Sequence, residues 1–469
     1  MGADRALTEP DRNGHAVIVP VLAFSGIVVS LMQTLVIPLV PSLPHLLGSA
    51  PADTAWAVTV TLLAGAVVTP VTGRLGDMYG KRRMLLISLG VLVVGSVICA
   101  LSDSLTPMII GRGLQGLSAG VIALGISIMR DEVPPQRLAS ATALMSASLG
   151  VGGALGLPIA AFVADHADWH VLFWASSVLA ALAAVLLVAL VPESAVRSGG
   201  RFDVVGSVGL SIVLVCLLLS ISKGGDWGWG STRVLGLLAV AVLVAAAWSW
   251  WELRMPRPLI DLRMLARRQV LLTNCASVVF GFSMFAMALV VPQVLQLPAA
   301  TGYGLGQTML AVGLVMAPNG LVMMAMAPVS ARISRVLGPK ITLMTGAAVV
   351  AAGYALGTVM MSTVWQLVVS SSVIGAGVGL AYGAMPSLIM AAVPVTHTAS
   401  ANSVNTLMRS VGTAVSSAVA GAVLAQLTVS FGPAQVPAQG AFRLIMFVGA
   451  AAAAGAFVVA AFLPARPRE

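Results

Sequence analysis

Of the 469 residues only 9% are charged while 58% are hydrophobic, and the mean hydropathy is +1.00. A water-facing surface needs charge at about a quarter of positions, so a soluble globular protein is excluded. The net charge of +9 comes from small basic groups between apolar runs rather than one stripe, which argues against a nucleic-acid binder.

The N-terminal stretch to residue 15 is charged, lacks a cleavage-type signal and has Ala6 where a myristoylation signal wants Ser or Thr, so it is expected to be a short cytoplasmic tail. Apolar runs of bilayer-spanning length, about 20 residues, then recur along the whole chain. They predict about fourteen helices, near 16–40, 53–73, 83–101, 107–129, 140–164, 170–192, 206–222, 234–251, 270–297, 308–330, 341–361, 366–391, 400–428 and 441–463. Strictly alternating ten-residue segments are absent, so helices rather than barrel strands must satisfy the backbone in lipid. The fold class is therefore all-α integral membrane.

Alternate loops hold most of the 25 basic residues, among them Arg74, Lys81, Arg130, Arg197, Arg257 and Arg335. The positive-inside bias places those loops, and both termini, in the cytoplasm of a multi-pass cell (plasma) membrane protein. Trp56, Trp169, Trp227 and Trp229, with Trp250 and Trp251 at the other side, fit interfacial belts. Cys99, Cys216 and Cys275 fall inside apolar segments without paired spacing, so they are expected to be packing residues and no metal site is expected.

The chain repeats itself. Pro70 to Arg82 (PVTGRLGDMYGKR) returns as Pro328 to Lys340 (PVSARISRVLGPK), and Val133 to Ala141 (VPPQRLASA) as Val393 to Ala401 (VPVTHTASA). Both copies follow an even-numbered helix, so they share orientation, as in a duplication about an axis along the membrane normal. The predicted organisation is a tail (1–15), a six-helix bundle (16–192), a linker with two extra helices (193–269), a second six-helix bundle (270–463) and a tail (464–469). The two extra helices belong to neither repeat and are expected to pack peripherally.

The segment Gly73 to Arg83 (GRLGDMYGKRR) reads as the junction of helices two and three, with Gly73 and Gly80 for tight turns and Asp77, Lys81 and Arg82 for charge contacts. Its spacing resembles the loop signature G-x-L-x-D-x-x-G-[RK] of the major facilitator superfamily. In helix four, Gly111 to Gly120 (GRGLQGLSAG) is similar to that family's R-x-x-Q-G element. In helix five, Gly150 to Pro158 (GVGGALGLP) resembles its antiporter element, although Leu157 separates Gly156 from Pro158 where the family has Gly-Pro. With fourteen helices, the resemblance is to the drug:proton antiporter branch. It implies two bundles rocking about a midplane site, Asp77 closing the cytoplasmic side against Thr398 to Ala401, and helix five sealing the bundles through Gly152, Gly156 and Pro158.

Arg112 in the outer half of helix four must face the bundle interior, because lipid exposure there costs roughly 2.5–3.5 kcal/mol or more. Gln115 shares its helical face. Where related exporters carry L-D-x-T on helix one, this chain has LMQT (Leu31 to Thr34), so the usual buried carboxylate is missing. Gln33, Thr34, Asn319 and Tyr382 remain as polar candidates for the cavity, each also readable as a helix-packing hydrogen bond. Methionines on helices nine and ten (Met284, Met287, Met316, Met323, Met324, Met326) could line an adaptable apolar pocket or fill lipid-facing positions. With its carboxylate gone, Arg112 leaves a charge that an anionic, zwitterionic or neutral polar-capped substrate could meet, the alternative being that carbonyls and waters satisfy it and substrate never touches it.

These readings imply an exporter of small amphipathic, drug- or antibiotic-like molecules. It would be proton-coupled by alternating access, and a multidrug-resistance efflux protein by analogy. No Walker-type phosphate loop is present, so no cofactor is expected, and the proton gradient supplies the energy. Expected partners are the substrate, protons and membrane lipids, with no nucleic acid and a monomeric chain. A proton-coupled uptake permease is the alternative, since the fold serves both directions. A membrane-embedded enzyme is the remote one, resting only on Asp165, His166, Asp168 and His170.

Overall fold

A computed structural model describes residues 14–40, 42–431 and 434–464, so both tails fall largely outside the described residues. Among the described residues, fourteen helices are long and apolar enough to cross a membrane. They are α1 (Gly14–Thr34), α2 (Trp56–Tyr79), α3 (Lys81–Ala100), α4 (Leu105–Glu132, with a break at 117–120), α5 (Pro135–His166), α6 (His170–Leu190) and α7 (Val204–Trp227). The remainder are α8 (Thr232–Arg254), α9 (Arg268–Gln296), α10 (Met309–Val336), α11 (Pro339–Val359), α12 (Val364–Ala392), α13 (Thr398–Gln426) and α14 (Gln439–Ala461).

In lipid every backbone N–H and C=O must be paired within its own segment, and the helix does this for any apolar side chain. The even-numbered helices end at one face, to which the arginine-rich loops belong; it is called the basic face below.

Helices α2 and α10 run to Tyr79 and Val336, where the charged residues led the sequence to predict ends at 73 and 330. The segment from Gly73 is thus the last two turns of α2 rather than a loop. The turn itself is Gly80, with φ +118°, and its repeat partner Gly338 has φ +92°. Only a residue without Cβ takes such values freely. The two glycines are separated by the spacing of Pro70 and Pro328. Arg82 donates to the Val188 carbonyl at the end of α6 (2.5 Å). Lys340, at the same offset, donates to the Ala461 and Leu463 carbonyls at the end of α14 (2.7 Å each). The repeat is therefore visible in how each half caps its sixth helix, with basic side chains on the negative helix ends.

One large apolar core gathers α1 to α6 and another α9 to α14. The halves meet mainly where α5 packs along α10 and α2 against α13. Gly313 lies so close to α5 that a Cβ would stand 2.7 Å from Pro158 Cα. Small residues allow this approach, where dispersion rather than water expulsion drives helix association.

The inserted helices differ from each other. α8 has only 11% of its most apolar stretch buried and leans on α7. α7 packs on both α2 and α13, where Leu210, Leu214 and Leu218 join Ala66, Val404 and Leu407 in one cluster. The expected peripheral placement describes α8, but α7 supports the seam between the halves. A hairpin of Thr428–Phe431 and Ala434–Pro437, which the all-α reading did not foresee, lies between α13 and α14 on the face opposite the basic one. Cys99 and Cys216 are buried, but Cys275 is exposed and is not a packing residue.

Candidate functional site

At the basic face, Asp77 is fully buried near the end of α2. Its carboxylate accepts the backbone N–H of Ala399 (3.1 Å) and of Ser400 (2.8 Å), and the Ser400 hydroxyl (2.5 Å). These are the unpaired first-turn donors of α13, where the helix dipole favours an anion. Gly73, one turn before Asp77, lets α13 come near enough, since a Cβ there would stand 2.7 Å from Ser403 Cβ.

Lys81 does not pair with Asp77. It forms a buried ion pair with Asp131 at the end of α4, and Ser194 donates to the same carboxylate oxygen (2.5 Å). The reason is geometric: the turn at Gly80 sends Lys81 back toward α4 while Asp77 points across the seam. Arg130, beside Asp131, spans the seam instead. It donates to the carbonyls of Met390 (2.8 Å) and Val393 (3.1 Å) at the end of α12 and to the Thr398 hydroxyl (2.7 Å). Sequence reading had not singled out Arg130 or Asp131, although their place at the end of α4 beside the repeated VPPQR segment was a usable signal.

Arg112 lies seven residues from the start of α4, about 10 Å deep, and is 1% exposed. Its guanidinium donates to the carbonyls of Ala57 (3.1 Å) and Met32 (3.1 Å) and to Gln115 Oε1 (2.7 Å). Gln115 passes the chain on to Ser96 (2.9 Å). Of the two ways this charge could be met, by a substrate or by carbonyls, the structure shows the second: α1 and α2 carbonyls and a neighbouring amide surround the guanidinium. The carboxylate missing from position 32 is replaced by the backbone of that same residue.

The other polar candidates do not converge on Arg112. Gln33 is exposed, one residue round the helix from the buried Met32. Thr34 bonds the carbonyls of Leu31 (3.0 Å) and Gly152 (3.3 Å), at the crossing of α1 and α5 that Gly152 and Gly156 permit. Asn319 donates to Met287 Sδ (3.0 Å). Met316 and Met323 are buried with Met287, whereas Met324 is exposed.

Tyr382 leads to a group that sequence reading missed. The Arg409 guanidinium sits 4.6 Å over its ring, and Phe280 meets the ring edge-on at 6.5 Å. Arg409 is 6% exposed, eleven residues into α13 and so about 16 Å from the basic face. Its hydrogen bond among the described residues is to Thr406 within its own helix (2.8 Å). Below it, Asn405 donates to Asn274 (3.0 Å) and Ser277 (2.6 Å) on α9. The signal lies in the sequence, because Arg409 is a basic residue deep in an apolar helix.

On the opposite face His170 and Asp168 form a local cap rather than a catalytic pair. The His170 N–H and imidazole both donate to Asp168 Oδ1 (2.9 and 2.5 Å), and His170 Nε2 reaches the Ser102 carbonyl (3.2 Å). Those bonds hold the Asp168 carboxyl below its ordinary range. The Asp165 side chain lies outside the described residues.

The arrangement is thus two apolar bundles, latched at one face by a carboxylate on a helix N-terminus and a guanidinium on a helix C-terminus, with a buried cation over the Tyr382 ring at mid-depth. Comparison with known proteins bears on the fold that carries it. The family model described as Major Facilitator Superfamily matches residues 22–417 and 297–469. An uncharacterised MFS-type transporter of Mycobacterium tuberculosis is 32% identical over 309 residues, 65% of this chain and 45% of the relative, so the match spans less than half of that protein. Multidrug resistance protein 3 of Bacillus subtilis is 25% identical over 79% of this chain and 72% of its own. The tetracenomycin C resistance and export protein of Streptomyces glaucescens is 35% identical over 52% of this chain and 46% of its own. The crystal structure of the human organic anion transporter MFSD10 superposes with a TM-score of 0.68, covering 95% of this chain and 99% of that one at 15% identity, a likeness of fold. By sequence and by architecture, the chain belongs to the Major Facilitator Superfamily of membrane transporters.

Proposed function

We propose that this protein is a secondary active exporter of small amphipathic molecules, driven by proton antiport and working by alternating access in the cell membrane, with the basic face and both termini cytoplasmic. The carrying observation is the distribution of bonds between the halves. Among the described residues every hydrogen bond joining α1–α6 to α9–α14 lies at the basic face, through Asp77, Arg130 and Arg74. A seam latched at one end by a few polar contacts, with glycine-lined helix crossings along the rest, is a bistable element that substrate and protons can bias. The relatives named for multidrug resistance and for export favour the outward direction.

For the substrate, Arg409 takes the part that Arg112 cannot. Its charge at mid-depth, backed by Tyr382 and Phe280, favours amphiphiles that carry a carboxylate, phenolate or carbonyl beside an aromatic or apolar body. The test is purified protein in liposomes under an imposed pH gradient, screened with matched anionic, neutral and quaternary-ammonium amphiphiles. Outward accumulation that collapses with the gradient is the expected result. Transport indifferent to the gradient would refute proton antiport, and gradient-driven movement in the reverse direction would make the protein an uptake permease.

A further inference from the structure

Beside the latch, on the basic face, a cavity of about 240 Å³ opens between parts that the sequence keeps far apart. Arg74 of α2 and His397 at the start of α13 form part of its floor, while Arg197 and Ser198 from the stretch before α7, and Arg257 from the stretch after α8, line its rim. Arg74 is 4% exposed, and its hydrogen bond among the described residues is to the His397 imidazole, Nη1 to Nδ1 3.4 Å. No carboxylate oxygen of the described residues lies within 4.0 Å of the three guanidiniums.

The wall contains one carboxylate, Asp261, and its Oδ1 is already engaged by the backbone N–H groups of Arg263 and Met264. Asp77, Asp203 and Glu252 act on Arg74 from behind the wall and do not line the cavity. The Ser198 hydroxyl is buried without a partner, and the Ser198 N–H donates to the Asp77 carbonyl (2.7 Å), which ties the rim to the latch. A buried guanidinium, a buried unpaired hydroxyl and two rim arginines around one space are the donor set that an oxyanion satisfies.

We propose that this cavity binds a phosphate- or carboxylate-bearing anion which bridges Arg74, Arg197 and Arg257 and clamps the inserted segment across the seam, holding the basic face shut. A free anion and the headgroup of an acidic lipid share this chemistry. The site lies at the face and away from Arg409, so it is separate from the substrate position and independent of the direction of transport.

The experiment uses the full chain in nanodiscs of phosphatidylcholine alone. Inorganic phosphate, titrated at constant ionic strength, should raise the thermal unfolding midpoint saturably. The double variant Arg197→Gln/Arg257→Gln, at exposed positions where folding is not at stake, should need at least about tenfold more phosphate for the same rise. Nanodiscs containing phosphatidylglycerol separate the two sources. A rise there that the double variant loses, with no response to free phosphate, assigns the site to a lipid headgroup.

The clamp is read separately with Ser403→Cys in a Cys275→Ser background, because Ser403 faces Gly73 across the seam. The effective anion should slow its alkylation about tenfold. The proposal is overturned if neither phosphate nor phosphatidylglycerol raises the midpoint, if the double variant responds as the native chain does, or if alkylation is unchanged while the midpoint rises.

Discussion

Asp77 and Arg112 are both buried ionisable groups, yet their surroundings give them opposite parts. Asp77 has its partners in the other half of the molecule, so its bonds exist only while the basic face is closed. Bonds to a charged group contribute about 1.5–3 kcal/mol, so Asp77→Asn should shift the balance toward opening at that face by about tenfold. Cysteine accessibility at the basic face, in membranes where expression is normal, measures it. An unchanged balance would remove Asp77 from the gate.

Arg112 has all its named partners within its own half, and Arg112→Gln would leave the Ala57 and Met32 carbonyls short of a donor, at about 1–3 kcal/mol. It should lower the unfolding midpoint and slow anionic and cationic substrates alike. Arg409→Gln should instead slow anionic substrates by tenfold or thereabouts while sparing cationic ones, and Tyr382→Phe, which keeps the ring, should stay within about twofold of native. Transport of the matched substrate pair by each variant decides between the two arginines. The sequence marked Arg112 as inward-facing because burial follows from cost in lipid; it did not reveal what pairs with it, because backbone carbonyls leave no trace in residue type.

Among the elements, helix crossings decide how tightly the bundles seal. In α5, Gly152 and Gly153 are neighbours, but a Cβ on Gly152 would stand 2.7 Å from Leu31 N and 2.5 Å from Ser30 Cβ, whereas on Gly153 it would meet nothing within 4 Å. Overpacking costs about 1–3 kcal/mol, so Gly152→Ala should lower both the unfolding midpoint and turnover, and Gly153→Ala neither. Equal behaviour of the two variants in thermal unfolding would show that α1 gives way. Helix number and most boundaries were legible, since span length and apolar composition are set by the bilayer, although α1 ends at Thr34, α5 starts at Pro135 and α7 runs to Trp227, away from the expected 40, 140 and 222. The ends of α2 and α10 were not, because charged residues signal a loop only until a partner buries them, as α13 buries Asp77.

For the whole molecule, the outcome depends on α7. Excising residues 202–255 and rejoining the chain keeps an even number of spans, and hence the topology. It also strips the cover from Ala66, Val404 and Leu407 along the seam. A twelve-helix chain of this kind should lose most of its folded, monodisperse yield in size-exclusion chromatography, while Leu243→Ala on the exposed side of α8 should change nothing. A stable, transporting twelve-helix chain would show α7 to be dispensable. The sequence by itself determined the membrane class, the fourteen helices, the repeat and the glycine turn at Gly80, because each follows from local hydrophobicity or from a backbone angle only glycine takes freely. Only the tertiary structure decided which partner each buried charge found: Lys81 with Asp131, Asp77 with the start of α13, Arg112 with carbonyls, Arg409 with Tyr382. The hydrogen bonds and short-range forces that select such partners act across distances in space that spacing along the chain does not encode.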